Sequence, residues 1–225
     1  MKLEQSQDAW EIWIPWTFAT SSGLFASWVL VLLMVRVVSE AFGEQLRGEQ
    51  VVNGPVGGAV LVALLGISFG TAQWLFLRQY LSQAGWWILA TVVGFAVGVP
   101  VLAWLRPWPG LLAGDPHSTV SEAAGYVGGW ALDGAVLGLA VGLAQWLLLR
   151  RHLPRAGWWV LATAVGWVLT TAARGSLDVV SDTSYVSGPA QVVLIIPVLV
   201  TVVGALGVIT GMSLLWLLRQ PRPRV

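Results

Sequence analysis

The 225-residue chain has no cysteine, only two histidines and few charged side chains. The absence of cysteine excludes a disulfide framework and a thiolate metal site. Charged residues make up 10% of the chain, whereas a soluble domain has about 25%. Twelve basic side chains are balanced by eleven acidic ones, so the strongly basic surface of a nucleic-acid-binding protein is excluded as well.

The chain is instead rich in apolar residues, glycine and tryptophan. Hydrophobic residues account for 56% of it, with 26 glycines and 15 tryptophans, and its mean hydropathy is +0.75. Glycine is frequent in transmembrane helices, and tryptophan is enriched where a helix crosses the membrane surface. The composition therefore predicts a multi-pass membrane protein whose first partner is the lipid bilayer.

Six stretches approach the roughly 20 apolar residues that a membrane-spanning helix needs. We predict an all-α single membrane domain over residues 1–225, with spans at about 16–38, 56–77, 86–105, 127–149, 158–173 and 192–218. Longer connections are expected at 39–55, 106–126 and 174–191. Pro197 predicts a tilt or break in the last span.

The basic residues predict the orientation. With six spans both termini lie on one side, and that side carries eight of the twelve basic residues: Lys2, Arg78, Arg150, Arg151, Arg155, Arg219, Arg222 and Arg224. Because basic connections stay in the cytoplasm, both termini are predicted to be cytoplasmic.

A long internal repeat is the strongest signal in the sequence. Residues 66–94 recur as residues 138–166, and both copies contain Gln-Trp-Leu-x-Leu-Arg followed by Trp-Trp-x-x-Ala-Thr. Residues 207–219 carry the first half again at the same glycine-to-arginine spacing, and residues 15–23 carry the second half. This pattern predicts a pseudo-threefold bundle of helical hairpins, circularly offset so that helix 6 pairs with helix 1.

These motifs resemble a family of uncharacterised multi-pass membrane proteins of phototrophic bacteria. The resemblance covers most of the chain from Pro15 to Arg219. It implies a bacterial cytoplasmic (inner) membrane location and a photosynthetic or respiratory complex as host, and it implies no defined activity. Helix 6 departs from the motif because Leu214 and Leu215 stand where Gln-Trp is expected.

The repeated arginines and tryptophans are the first candidate site residues. Arg78, Arg150 and Arg219 end helices 2, 4 and 6, where they can meet lipid phosphates; an arginine triad for an anionic ligand is the alternative. Trp87 and Trp159, with their neighbours, are interpreted as an aromatic belt at the same rim. A platform for a pigment or quinone is the alternative for these tryptophans.

Two amides and one acid complete the candidate set. Gln73 and Gln145 are expected to form interhelical hydrogen bonds with Thr20, Thr91 or Thr163, or else to line a polar constriction on a central pathway. Asp133 is the only acid inside a predicted span. It is expected either to pair with Arg36, Arg106 or Arg174 near the outer interface or to form a proton or cation site.

No catalytic motif accompanies these residues. Both histidines lie in connections, and the sequence has no phosphate-binding, zinc or dinucleotide motif. We therefore predict a non-enzymatic protein with no cofactor identified; contact with lipid, carotenoid, chlorophyll or quinone stays open. The first functional hypothesis is an accessory or scaffold subunit bound to other membrane-protein subunits. The alternative is a small transporter, channel or ligand-binding receptor with an axial polar site, and a membrane sensor is a third.

Overall fold

A computed structural model describes residues 9–42, 55–81, 83–105, 120–181 and 188–220. Within these ranges the chain forms six α-helices: α1 Ala9–Phe42, α2 Pro55–Leu77, α3 Trp86–Leu105, α4 Val120–Leu149, α5 Gly157–Ser181 and α6 Pro189–Leu218. All six are long and apolar enough to cross a membrane. The prediction of an all-α, multi-pass transmembrane protein is confirmed.

Several helices are longer than their apolar runs. α1 begins at Ala9 rather than Trp16, α4 begins at Val120, and α5 continues to Ser181, so parts of the expected connections are helical. In α5 the extension carries Arg174 and Asp178, which pair one turn apart on the same helix. The expected break at Pro197 is wrong, because α6 runs through this residue without interruption.

The helices form a closed ring in chain order. Each described helix packs against the helix before it and the helix after it, and α6 closes the ring by packing against α1. The expected contact between the last and first helices is therefore confirmed. The two short connections, of which residues 78–81, 83–85 and 150–156 are described, lie at one end of this ring, which we call the short-connection end.

Glycines let neighbouring helices approach to backbone contact. A Cβ atom added at Gly94 of α3 would lie 2.5 Å from Cα of Val141 in α4. Gly66 and Gly138 likewise face the backbones of α3 and α5, so that a Cβ would come within 2.7 Å and 2.6 Å of the nearest atoms. Lipid provides little hydrophobic drive for helix association, and such close packing is what holds membrane bundles together.

Buried residues form two clusters inside the ring. One lies at the short-connection end around Trp16, Trp87 and Trp159. The second lies deeper in the bundle around Phe69, Phe95 and Trp167. The outward faces carry large exposed apolar side chains on every helix, which suits a lipid environment.

Candidate functional site: a tryptophan and glutamine core

Three tryptophans from α1, α3 and α5 meet at the centre of the short-connection end. Trp16, Trp87 and Trp159, here called the tryptophan triad, are 0%, 1% and 0% exposed. Their ring centroids lie 5.5 to 6.3 Å apart with edge-to-face geometry. The interpretation of Trp87 and Trp159 as a rim belt is wrong, because both side chains are packed inside the ring of helices with Trp16. Their neighbours Trp86 and Trp158 point outward and are exposed, as a belt requires.

Two glutamines accept the indole hydrogens of the triad. Trp87 Nε1 donates to Gln73 Oε1 at 2.9 Å, and Trp159 Nε1 donates to Gln145 Oε1 at 3.0 Å. Both amides are almost completely buried. Each glutamine thus satisfies a tryptophan of the next helix in its own hairpin, and the buried indole N–H groups have the partners that burial requires.

The glutamine amide groups extend this network between helices. Gln145 Nε2 donates to Thr91 Oγ1 at 3.0 Å and to Gln73 Oε1 at 3.3 Å. Gln73 Nε2 donates to Thr20 Oγ1 at 3.4 Å. The expected glutamine–threonine bonds are therefore confirmed for Thr20 and Thr91. The hydroxyls of Thr91 and Thr163 both donate to the tryptophan carbonyl four residues earlier, but of these two only Thr91 also accepts from a glutamine in the described structure.

The third tryptophan uses a partner that the sequence did not single out. Trp16 Nε1 donates to Thr210 Oγ1 at 3.0 Å. Thr210 is 1% exposed and lies one turn before Leu214, the position where the repeat places a glutamine. Thr210, four residues before the position where the repeat predicts a glutamine, thus supplies the acceptor for the third indole.

The packing of α6 against its two neighbours is also displaced by one helical turn from the position that the sequence repeat predicts. A Cβ at Gly207 would meet Thr17 of α1, just as Gly70 faces Ile88 and Gly142 faces Val160. On the other side, Gly166 faces Leu206, whereas Gly94 faces Val141. Leu206 therefore corresponds to Val141, and Gly207 corresponds to Gly142 and Gly70. The sequence alignment instead equates Gly207 with Gly66 and Gly138. The expected alignment of α6 is therefore wrong by four residues, or one helical turn.

A second aromatic layer fills the interior beyond the glutamines. Phe69, Phe95 and Trp167 pack with centroid separations of 5.6 to 6.4 Å. All three are at most 6% exposed. At both aromatic levels the three rings pack against one another inside the ring of helices.

The repeated arginines lie outside this core. Arg78 stacks over Trp74 of its own helix at 5.5 Å, and Arg150 over Trp146 at 5.1 Å. Both arginines are exposed at the short-connection end. Because α6 is displaced by one turn, Arg219 lies about 6 Å beyond the level of the other two. The structure does not bring the three arginines together at one level.

Asp133 belongs to a separate part of the α4–α5 pair, toward the opposite end of the bundle. It is 8% exposed. Nearby, Arg174 pairs with Asp178 and lies 5.6 Å from the ring of Trp130, and Asp178 also accepts a bond from Tyr126. Arg36 pairs with Glu40 on its own helix. Arg106, the third expected partner of Asp133, lies outside the described residues.

Metal and cofactor ligands are sparse in this arrangement. Among the described ranges, no three His, Asp or Glu side chains come together as a metal site would require. His152 lies in a connection beside the carbonyl of Leu148. His117 lies outside the described residues.

Comparison with known proteins gives no match: no family model, no curated protein and no solved structure is similar to the chain. The resemblance to the phototroph family therefore stays a prediction.

Proposed function

We propose that the chain is a non-catalytic accessory or scaffold subunit of a bacterial membrane assembly. The observation that carries this proposal is the filled interior at the short-connection end. There the tryptophan triad is in mutual contact, and each of its three indole N–H groups has a buried acceptor. Such a core suits a rigid structural body better than a solute pathway. The exposed side chains on the outside of the helices are mostly large and apolar, which suits contact with lipid or with other membrane proteins.

The same core weighs against the alternative of axial transport. A pathway through the bundle would have to separate Trp16, Trp87 and Trp159, whose indole N–H groups are held in place by buried acceptors. The amides of Gln73 and Gln145 face indoles, threonines and each other rather than an open axis. Broken helices, which mark many transporter sites, are absent from the described spans; α6 continues through Pro197.

Within this proposal, the three hairpins derive from one ancestral helical pair arranged about a pseudo-threefold axis. Support comes from Trp16, Trp87 and Trp159, which occupy repeat-equivalent positions and meet at one point. The one-turn displacement of α6 is then a later adjustment in the third hairpin. A photosynthetic or respiratory host in the bacterial cytoplasmic membrane, with both termini cytoplasmic, is the setting that we propose.

The surface that we assign to a partner helix lies on α1 and α6 away from the short-connection end. At the position equivalent to Gly66 and Gly138, the displaced α6 carries Val203, which is 43% exposed and lacks the bare backbone of a glycine. In the described residues, Trp13 and Trp16 of α1 donate hydrogen bonds to α6. Farther along, large apolar side chains are exposed on both helices: Phe25, Leu32, Val193, Val200 and Val203.

Photo-crosslinking in the native membrane tests this proposal. A photoreactive residue at Phe25 or Val200 is expected to capture another membrane protein, whereas one at Leu89 or Leu161 is expected to capture lipid only. Leu89 and Leu161 are matched controls, since they are similarly exposed on α3 and α5. Recovery of the chain solely as a free monomer, with lipid adducts at all four positions, would contradict the proposal. Solute flux in liposomes that stops when the three tryptophans of the triad are held in contact would favour the transporter hypothesis instead.

A further inference from the structure

A groove of about 280 Å³ runs along the outer surface between α3 and α4. Val93, Gly94 and Val97 line it from α3. The lining from α4 consists of Ala140, Leu143, Ala144, Trp146 and Leu147. Its floor lies at the close approach of Gly94 to Val141, while Val93, Val97, Leu143 and Leu147 are each about half exposed. The groove therefore opens toward the bilayer and is not part of the buried core.

The groove ends beside the guanidinium of Arg150. Trp146 lines the groove, and the guanidinium of Arg150 lies 5.1 Å from the centroid of its ring. Arg150 is three residues beyond Leu147, or about 5 Å farther along the helix. The connection that follows contains Arg151, His152 and Arg155, and residues 150–157 include no acid. An apolar groove with a guanidinium at its end is complementary to one class of membrane molecule.

We propose that this groove binds an anionic phospholipid, with one acyl chain between α3 and α4 and the phosphate beside Arg150. The groove volume is just below the roughly 300–1,000 Å³ of pockets for drug-sized molecules, which fits a slender acyl chain rather than a large ring system. The lining offers the chain apolar contacts only. The charge at the mouth, and the stacking of Arg150 on Trp146, supply the preference for an anionic headgroup.

Native mass spectrometry of the full chain in a neutral detergent tests the headgroup. The protein is titrated with phosphatidylglycerol and with phosphatidylcholine of the same acyl chains. One phosphatidylglycerol is expected to stay bound in preference to phosphatidylcholine. Arg150→Gln is expected to weaken its binding about tenfold, the scale of one charge-assisted contact. Arg78→Gln is the matched control, because Arg78 stacks on Trp74 in the same way at the end of α2.

A second pair of variants tests the groove itself. Ala144→Leu fills the slot and is expected to weaken phosphatidylglycerol binding, whereas Ala96→Leu adds the same bulk on an exposed face of α3 outside the lining and should not. Neither change touches the tryptophan triad, so near-ultraviolet circular dichroism should be unchanged. Equal losses with Arg78→Gln and Arg150→Gln, equal binding of the two lipids, or undiminished binding in Ala144→Leu would each overturn the proposal. A carotenoid or quinone found in the groove in place of lipid would overturn it too.

Discussion

Replacing Thr210 by valine tests the central feature of the core. Valine keeps nearly the same shape as threonine but removes the hydroxyl that accepts the Trp16 indole hydrogen at 3.0 Å. Both residues are at most 1% exposed, so water cannot take the place of the lost acceptor. The substitution therefore isolates one hydrogen bond between α1 and α6.

The expected loss follows from the buried donor that remains. A buried polar group left without a partner costs about 1–3 kcal/mol, while interhelical hydrogen bonds in membrane proteins average about 0.6 and reach about 1.7 kcal/mol. We expect Thr210→Val to lower the free energy of unfolding by about 1–1.7 kcal/mol, the range where the two scales overlap. Thr210 also donates to the carbonyl of Leu206 on its own helix, and the loss of that bond adds little.

Thr201→Val is the matched control. The hydroxyl of Thr201 donates to the carbonyl of Pro197 on the same helix, at 2.9 Å and in an exposed position. This change should alter stability by less than about 0.5 kcal/mol. Equilibrium unfolding in mixed micelles, followed by circular dichroism, measures both variants. Hydrogen exchange of the Trp16 indole N–H provides a local readout that should quicken only in Thr210→Val. If Thr210→Val unfolds like the parent and its Trp16 indole stays protected, the assigned bond is wrong.

Three further predictions test register, packing and ionisation. Leu214→Gln would restore the repeat as the sequence aligns it, but Leu214 is 1% exposed in an apolar cluster, so we expect a loss of about 2–4 kcal/mol; a stabilised variant in the same unfolding assay would support the sequence alignment. Gly94→Ala places a Cβ 2.5 Å from Val141 Cα and should cost about 1–3 kcal/mol, whereas Gly128→Ala, with no atom within 4 Å of the new Cβ, should cost nothing; equal effects in the unfolding assay would show that the close approach is not decisive. Burial, and secondarily the charge of Glu11, raises the pKa of Tyr80, in the α2–α3 connection, above its ordinary value of 10.0. Because the folded state favours the neutral phenol, the contribution of Tyr80 to the free energy of unfolding is full below pH 10 and is lost as pH rises through the raised pKa. If the free energy of unfolding of Tyr80→Phe falls with alkaline pH as much as that of the parent, the assignment is wrong.

The candidate site was only partly predictable from sequence. The pairing of Gln73 and Gln145 with threonines could be inferred, because buried amides need partners and the repeat supplied threonines on the neighbouring helices. The burial of Trp87 and Trp159 could not, because a tryptophan near a helix end is equally consistent with a membrane interface. Trp86 and Trp158 are the exposed members of the same two pairs. Only packing shows which tryptophan of each pair turns inward.

The sequence by itself determined six apolar spans and the order in which repeated motifs follow one another, because span length and repeat spacing are properties of the chain alone. It could not determine the register of α6. Gly207 and Gly211 are one turn apart on the same face, so alignments that differ by four residues present equivalent small positions to the neighbouring helices. The tertiary structure distinguishes them, because in the displaced register Thr210 reaches the buried indole of Trp16 and Gly207 fits against Thr17.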